Sequence, residues 1–309
     1  MKLLKKSQAP PAEHGDWRLP LDKPEEAEHL PPRPLGMWRR MKLRVEYLQS
    51  VPVGAERSYM EAAEVDSDIV PIAGWARFLR LAIAWLLLLP LSVVMVYALL
   101  TQLYHAGDKV AKWSFWLSEP VWYSLLGVCT FVALIIARVA NPILVYVYVL
   151  GHELTHALAA KICMGKVQSL RIDLNGGYVE TDADNLFIAL SPYFLPLWMC
   201  CWLLILWGVN FVWPFPQWAA WFYAGSGFWW SFHLYWTAWV IPREQPDMLE
   251  NGLLFSLLLI MVLNIGILIG VLCFFGVVTP AGYAHDFIAA AERIIDCARA
   301  LWWYVQRLC

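Results

Sequence analysis

The stretch PILVYVYVLGHELTHALAAKI, residues 142–162, indicates both the fold and the chemistry of this chain. Its length and apolar character are those of a helix that crosses a bilayer, which needs about 20 residues. Inside it stand His152, Glu153 and His156. Ionisable side chains are unfavourable in lipid, and in an apolar helix they mark a functional site by default. The stretch therefore predicts a membrane helix that contains a polar site.

The spacing of the two histidines predicts a metal site. Residues i and i+4 of a helix lie one turn apart on the same face, so His152 and His156 can both reach one Zn²⁺ ion. Glu153 follows the first histidine and projects beside the metal, where its carboxylate can accept a proton from water. This His-Glu-x-x-His arrangement is typical of zinc metalloproteases, and it predicts Glu153 as the catalytic base.

The composition of the whole chain favours a membrane protein. Of the 309 residues, 60% are hydrophobic and 16% are charged, and the mean hydropathy is +0.52. Soluble domains have about 45–50% apolar and about 25% charged residues, so a soluble globular enzyme is excluded. The formal net charge of −2 argues against a nucleic-acid partner, which requires a basic surface. The 19 tryptophans are typical of membrane interfaces, and the 7 cysteines show no spacing of a disulfide framework.

Further apolar segments of spanning length lie on both sides of the motif helix. They predict an all-α, multi-pass protein of the plasma or inner membrane, with about six transmembrane helices embedded in the lipid bilayer. The predicted helices cover residues 79–103, 117–137, 142–162, 184–209, 217–240 and 253–276. Residues 71–280 form the predicted membrane-embedded metalloprotease core.

Polar segments flank this core. Residues 1–70 are polar and rich in proline, which predicts a tail that does not fold alone, with a short basic amphipathic segment at residues 37–48. Residues 281–309 place apolar side chains at helical spacing with arginines between them. They predict an amphipathic helix that lies in the membrane interface.

A β-hairpin is predicted directly after the motif helix, in GKVQSLRIDLNGGYVETDAD, residues 165–184. Apolar and polar residues partly alternate there, and Asn175-Gly176-Gly177 supplies the chemistry of a turn. A hairpin beside a membrane must pair its backbone or face water, so it predicts the lining of a polar cavity. Gly176 and Gly177 are candidate substrate-binding positions, because a hairpin can add an unwound substrate as a further strand.

A catalytic zinc site needs a third protein ligand and an open position for water. Asp247 is the candidate, because it lies just before the sixth predicted helix. That helix and the motif helix are expected to meet at one membrane face, since three connections separate them. Capping of the sixth helix is the alternative role of Asp247. The alternative ligands are Asp184, Glu244 and Glu250.

His233, in SFHLYWT of the fifth predicted helix, is a further candidate. An ionisable ring at that depth is unfavourable unless it has a partner. Two roles are open. The ring could contact the substrate backbone or orient a metal ligand, or it could hydrogen-bond a neighbouring helix.

Residues 142–265 resemble the site-2 protease family of intramembrane zinc metalloproteases. The resemblance rests on GHELTHALAAKICMGKV at residues 151–167, on the hairpin that follows, and on Pro246-Asp247 before another apolar helix. It implies His152, His156 and Asp247 as the zinc ligands and Glu153 as the general base. It also implies an active site near the cytosolic side and a membrane-anchored protein as substrate, often one already trimmed by another protease.

Two positions depart from the family's pattern. Met248 follows Asp247 where family members have an Asp-Gly pair, and Ser191-Pro192 stands where many have Gly-Pro. These departures leave the ligands in place and bear on subfamily and substrate. Two other functions stay open. One is a membrane zinc protease of the prenyl-protein-processing type, with a glutamate as third ligand, and the other is a scaffold subunit that keeps the fold without catalysis.

Overall fold

The structure is a computed structural model that describes residues 74–109, 117–138, 141–173, 176–243 and 246–308. These residues are mostly helical and include one small sheet. In chain order the elements are α1 (Gly74–Ile83), a π-helical turn (Ala84–Leu88), α2 (Leu89–Lys109), α3 (Glu119–Ala137), α4 (Asn141–Ile162), β1 (Val167–Asp173), β2 (Gly176–Thr181), α5 (Leu186–Phe194), α6 (Leu197–Val212), α7 (Trp218–Val240), a 3-10 turn (Ile241–Arg243), α8 (Pro246–Leu249), α9 (Leu253–Phe274) and α10 (Pro280–Leu308). The predicted tail and its basic segment lie outside the described residues.

Several of these helices are long and apolar enough to cross a membrane. There are four such segments in the described residues, namely Gly74–His105, Glu119–Ala137, Ile143–Ile162 and Leu253–Phe274. The bent pair of α5 and α6 is a fifth candidate if it is counted as one span. Helix α7 is not among them, since its sequence is rich in Trp, Tyr, Gly and Ser, which have low hydropathy. Four or five candidate spans are consistent with a multi-pass membrane protein, and the predicted count of about six is not confirmed.

The predicted helix at 184–209 is broken into two helices. Asn185 begins α5 by accepting a hydrogen bond on its side chain from the Ile188 amide at 2.9 Å. Leu195 then adopts an extended conformation before Pro196, and α5 and α6 meet at a bend of 68°. A proline disfavours helical geometry in the residue before it and donates no main-chain hydrogen bond. The break leaves α5 as a short buried helix against α4 and α9.

Helices α3 and α7 pack closely through glycine. A Cβ atom on Gly127 would collide with the carbonyl group of Ala224, and one on Gly227 would collide with the carbonyl group of Ser124. The Ser124 hydroxyl also donates to the Tyr223 carbonyl at 3.3 Å. Small residues of this kind let two helix backbones approach, as they do in membrane helix pairs.

The predicted hairpin is confirmed, but its glycines are not in the turn. Strands β1 and β2 pair antiparallel, with Leu170 opposite Val179 and Asp173 opposite Gly176. Residues 174–175, between the two strands, lie outside the described residues. Gly176 and Gly177 belong to β2, and the packing of Gly177 described below gives the physical reason for a glycine in the strand.

The C-terminal segment forms the predicted helix, α10. Its first half packs on α2, where the Tyr283 hydroxyl donates to the Met95 carbonyl at 3.3 Å and Gln102 donates to Asp286 at 2.6 Å. Every side chain described from residue 295 onward is exposed, including Trp302 and Trp303. The helix is thus half packed and half projecting, and its place in the membrane interface stays a prediction.

The tryptophans divide between helix packing and exposed surface. Trp198 donates to the Val147 carbonyl at 3.0 Å and Trp202 donates to the Trp221 carbonyl at 3.1 Å. Trp207 and Trp213 are largely exposed. The six described cysteines are free thiols, and Cys309 lies outside the described residues.

Candidate metal centre

His152, His156 and Asp247 come together at one point. One ligand atom from each residue lies within 4.8 Å of the other two. The two histidine Nε2 atoms are 3.3 Å apart, and Asp247 Oδ2 is 3.5 Å from His156 Nε2. Two ring nitrogens and a carboxylate oxygen that converge in this way are donors for a divalent cation such as zinc. Helix α4 supplies the histidines, and the short helix α8 brings the aspartate to them.

The ring of His156 is oriented by a main-chain carbonyl. Its Nδ1–H donates to the carbonyl oxygen of Ile188, in α5, at 2.9 Å. With the proton on Nδ1, the lone pair of Nε2 is available to a metal on the side of Asp247. The hydrogen bond therefore selects the tautomer that a ligand histidine needs.

The ring of His152 is held by two tyrosines. The hydroxyl of Tyr148, one helical turn earlier, lies 3.3 Å from His152 Nδ1. The ring of Tyr193 meets the imidazole edge to face, with the ring centres 5.2 Å apart. These contacts leave Nε2 directed toward His156, as the distance between the two Nε2 atoms requires.

Asp247 has its own set of partners. The Tyr193 hydroxyl donates to Asp247 Oδ2 at 3.0 Å, and the Asn251 side chain donates to the main-chain carbonyl of Asp247 at 3.1 Å. Burial acts to raise the pKa of the Asp247 carboxyl, but His156, with His152 and the Tyr193 hydroxyl, outweighs it and holds the pKa below its usual value. A lowered pKa favours the ionised carboxylate, which is the form that binds a metal.

Glu153 lies beneath strand β2. Its side chain is buried, with 9% of the residue exposed. A Cβ atom on Gly177 would lie 2.5 Å from Glu153 Cγ and 3.0 Å from the Arg171 carbonyl oxygen. Any residue larger than glycine would therefore push against the glutamate, so Gly177 lets the hairpin pack on the predicted catalytic base.

A cavity of about 30 Å³ lies beside His152. Its wall includes aromatic rings from α6 and α7 and two prolines in and just after α5, and Tyr148, His152 and His233 add polar atoms. The cavity is large enough for a water molecule, which needs about 10–15 Å³ and two or more polar partners. Water can thus be held next to a predicted metal ligand.

His233 makes the helix-to-helix hydrogen bond that was one of its two expected roles. The ring is buried, and its Nε2 is 3.2 Å from Asn264 Oδ1 in α9. Asn264 in turn donates to the carbonyls of Tyr193 and Ile260, each at 2.9 Å. The ring also lines the cavity beside His152. Contact between His233 and a substrate stays a prediction.

The alternative third ligands do not join the cluster where the structure describes them. Asp184 and Glu250 are both exposed, and neither belongs to the group that could hold a metal. Burial, with the nearby charges of Asp184 and Asp247, raises the pKa of Glu250. Glu244 lies outside the described residues.

Asn264 makes the interhelical hydrogen bonds expected of a polar residue in the sixth predicted helix. Three other groups around the centre were not predicted from the sequence. The sequence does carry a signal for Tyr148, because it stands four residues before His152 and so shares its helix face. Tyr193 had a weaker signal, as a polar group in an apolar helix. The sequence carries no signal for the carbonyl of Ile188, because side-chain patterns do not report on main-chain groups.

No family model, curated protein or solved structure matches this chain. The resemblance to site-2 proteases thus rests on the quoted motifs alone. His152 and His156, one helical turn apart, and Asp247 beside them form a group that could hold a metal ion.

Proposed function

We propose that this chain is a zinc-dependent endopeptidase that cleaves membrane-anchored proteins within the bilayer. The observation that carries the proposal is the convergence of His152, His156 and Asp247 on one point, with Glu153 next to the first of them in the motif helix. The apolar helices around this centre support a location in the membrane.

The donor set suits zinc. Two imidazole nitrogens and one carboxylate oxygen are a set found in catalytic zinc sites, which keep a fourth position open. His156 also has the hydrogen bond through its second ring nitrogen that orients metal-bound histidines. Zinc bound in such a site supplies Lewis acidity toward water and toward a peptide carbonyl.

Glu153 serves as the general base. Its carboxylate accepts a proton from the attacking water and later delivers one to the leaving amine. The burial of Glu153 under β2 limits the orientations of its side chain, and the adjacent hairpin supplies polar main-chain groups.

The hairpin supports an extended substrate. A transmembrane helix hides its peptide bonds in its own hydrogen bonds, so it must unwind locally before cleavage. Strand β2 belongs to a two-stranded sheet with β1 as its neighbour and passes over Glu153 at Gly177. Main-chain hydrogen bonds along such a strand would hold an unwound segment with little dependence on its sequence.

Metal removal tests the proposal. We expect the purified protein in proteoliposomes to hold about one zinc ion per chain, as a three-ligand catalytic site does. Cleavage of single-span reporter proteins placed in the same vesicles should stop after chelation and return when zinc is restored. Zinc content is measured by mass spectrometry and cleavage by gel. A wild-type protein without zinc, or one that cleaves after complete chelation, would contradict the proposal.

Substitution of Gly177 by alanine tests the contact between the hairpin and Glu153. We expect cleavage to slow by about 10–100-fold, because overpacking of about 1–3 kcal/mol displaces the glutamate. Zinc content should stay unchanged, since no ligand is touched. Gly208→Ala is the matched control, as a Cβ atom at Gly208 has no atom within 4 Å. Cleavage by Gly177→Ala at the wild-type rate would show that this contact does not position Glu153.

A further inference from the structure

We infer that Tyr193 is a positioning residue for the third metal ligand, and that its phenol fixes Asp247 with a carboxylate oxygen toward the two histidines. The inference rests on the metal centre of the proposed function. It concerns a residue that lies outside the His-Glu-x-x-His motif and outside the ligand set.

Tyr193 contacts the Asp247 carboxylate directly. Tyr193 is fully buried, with 0% exposed, and its hydroxyl donates to Asp247 Oδ2 at 3.0 Å. The same oxygen lies 3.5 Å from His156 Nε2. Asp247 stands on a helix of only 4 residues. A carboxylate can rotate about its side-chain bonds, and the phenol hydrogen bond selects one orientation.

Tyr193 is itself held in place by hydrogen bonds at its main-chain carbonyl. In an unbroken helix its carbonyl would accept from the amide of Leu197, but that amide donates to the Leu195 carbonyl at 2.8 Å. The Asn264 side chain donates to the Tyr193 carbonyl instead, at 2.9 Å. The Asn264 side chain is itself held by His233 at 3.2 Å. Asn264 in α9, itself held by His233 in α7, therefore fixes the break in the helix at Tyr193.

Helix α5 as a whole lies against the ligands. Its Ile188 carbonyl orients His156, and its Tyr193 hydroxyl orients Asp247. One short helix thus contacts all three ligands, His156 and Asp247 through hydrogen bonds and His152 through the Tyr193 ring. The bend of 68° after α5 lets this helix lie against the ligands rather than continue along α6.

The test is Tyr193→Phe, which keeps the ring and removes the hydroxyl. We expect the zinc dissociation constant, measured by competition with a chelator, to rise by about 10–100-fold, as for other partners of metal ligands. The visible absorption spectrum of the Co²⁺-loaded variant should also change, because the carboxylate is held differently. A loss of packing alone would not alter that spectrum.

Tyr283→Phe is the matched control. Tyr283 is partly buried and donates its hydroxyl to the main-chain carbonyl of Met95, but it lies on α10 and packs against α2, away from the metal centre. Its removal should leave zinc affinity and the Co²⁺ spectrum unchanged.

Two failures are distinguishable. If the wild-type chain binds neither zinc nor Co²⁺, the proposed function is wrong. If the wild type binds both, and Tyr193→Phe binds zinc as tightly with the same Co²⁺ spectrum, the inference about Tyr193 is wrong.

If Tyr193→Phe does not fold, Asn264→Ala takes its place. A weaker zinc affinity and a changed Co²⁺ spectrum in that variant support the inference, and wild-type values overturn it.

Discussion

Replacement of Glu153 by glutamine is expected to slow peptide-bond cleavage by about 10²–10⁴-fold, the usual contribution of a general base. Glutamine has nearly the same shape as glutamate but cannot accept a proton from water. Because Glu153 is not among the three converging ligands, the zinc content should remain that of the wild type. Initial rates on a reconstituted reporter and zinc content by mass spectrometry check both parts of the expectation.

Glu180→Gln is the matched control for this substitution. Glu180 is an exposed glutamate on β2 that accepts a hydrogen bond from the Ser169 hydroxyl at 2.9 Å. The same change of charge there should leave the cleavage rate within about twofold of the wild type, since surface substitutions have small effects. If Glu153→Gln cleaves at the wild-type rate with full zinc, the protease proposal is wrong and a structural subunit becomes the better hypothesis.

Replacement of Asp247 by alanine is expected to lower zinc affinity by more than about 100-fold, because even outer partners of metal ligands change affinity by about 10–100-fold. The variant loses the carboxylate whose Oδ2 lies 3.5 Å from His156 Nε2. It also leaves the Tyr193 hydroxyl without its acceptor. Cleavage should be lost together with the metal. Competition with a chelator gives the affinity, and the reporter assay gives the rate.

Glu250→Ala provides the matched control and separates two classes of enzyme. Glu250 is three residues further along, exposed, and outside the ligand cluster. We expect it to keep zinc and activity. The reverse pattern, with zinc lost in Glu250→Ala and kept in Asp247→Ala, would assign a glutamate as third ligand and favour the prenyl-protein-processing type.

Much of the helical architecture follows from local pattern. The ends of α4, α7 and α9 lie within a few residues of their predicted positions, because long apolar segments specify helices without help from distant residues. The hairpin follows equally from alternation and turn chemistry. The break between α5 and α6 was missed, although Pro196 supplied the signal, because prolines are tolerated within apolar helices.

The roles of the glycines could not be predicted from the sequence. Asn175-Gly176-Gly177 is a turn signal by composition, yet both glycines lie in β2. Gly177 is required there by the proximity of Glu153, which belongs to a different element. A pattern within one segment carries no information about the side chain that packs on it from another.

The sequence by itself determined the pair His152 and His156, the adjacent Glu153, and the apolar helix that holds them. Their relation depends only on the period of one helix, which is a local property. Only the tertiary structure brought Asp247, and not Glu250, within metal-binding distance of them, and only it brought Tyr193 to Asp247. Those contacts join segments far apart in the chain, and they depend on how α5, α8 and α9 pack against α4. Spacing within a segment cannot specify that packing, because it arises from the shapes and hydrogen bonds of all these helices together.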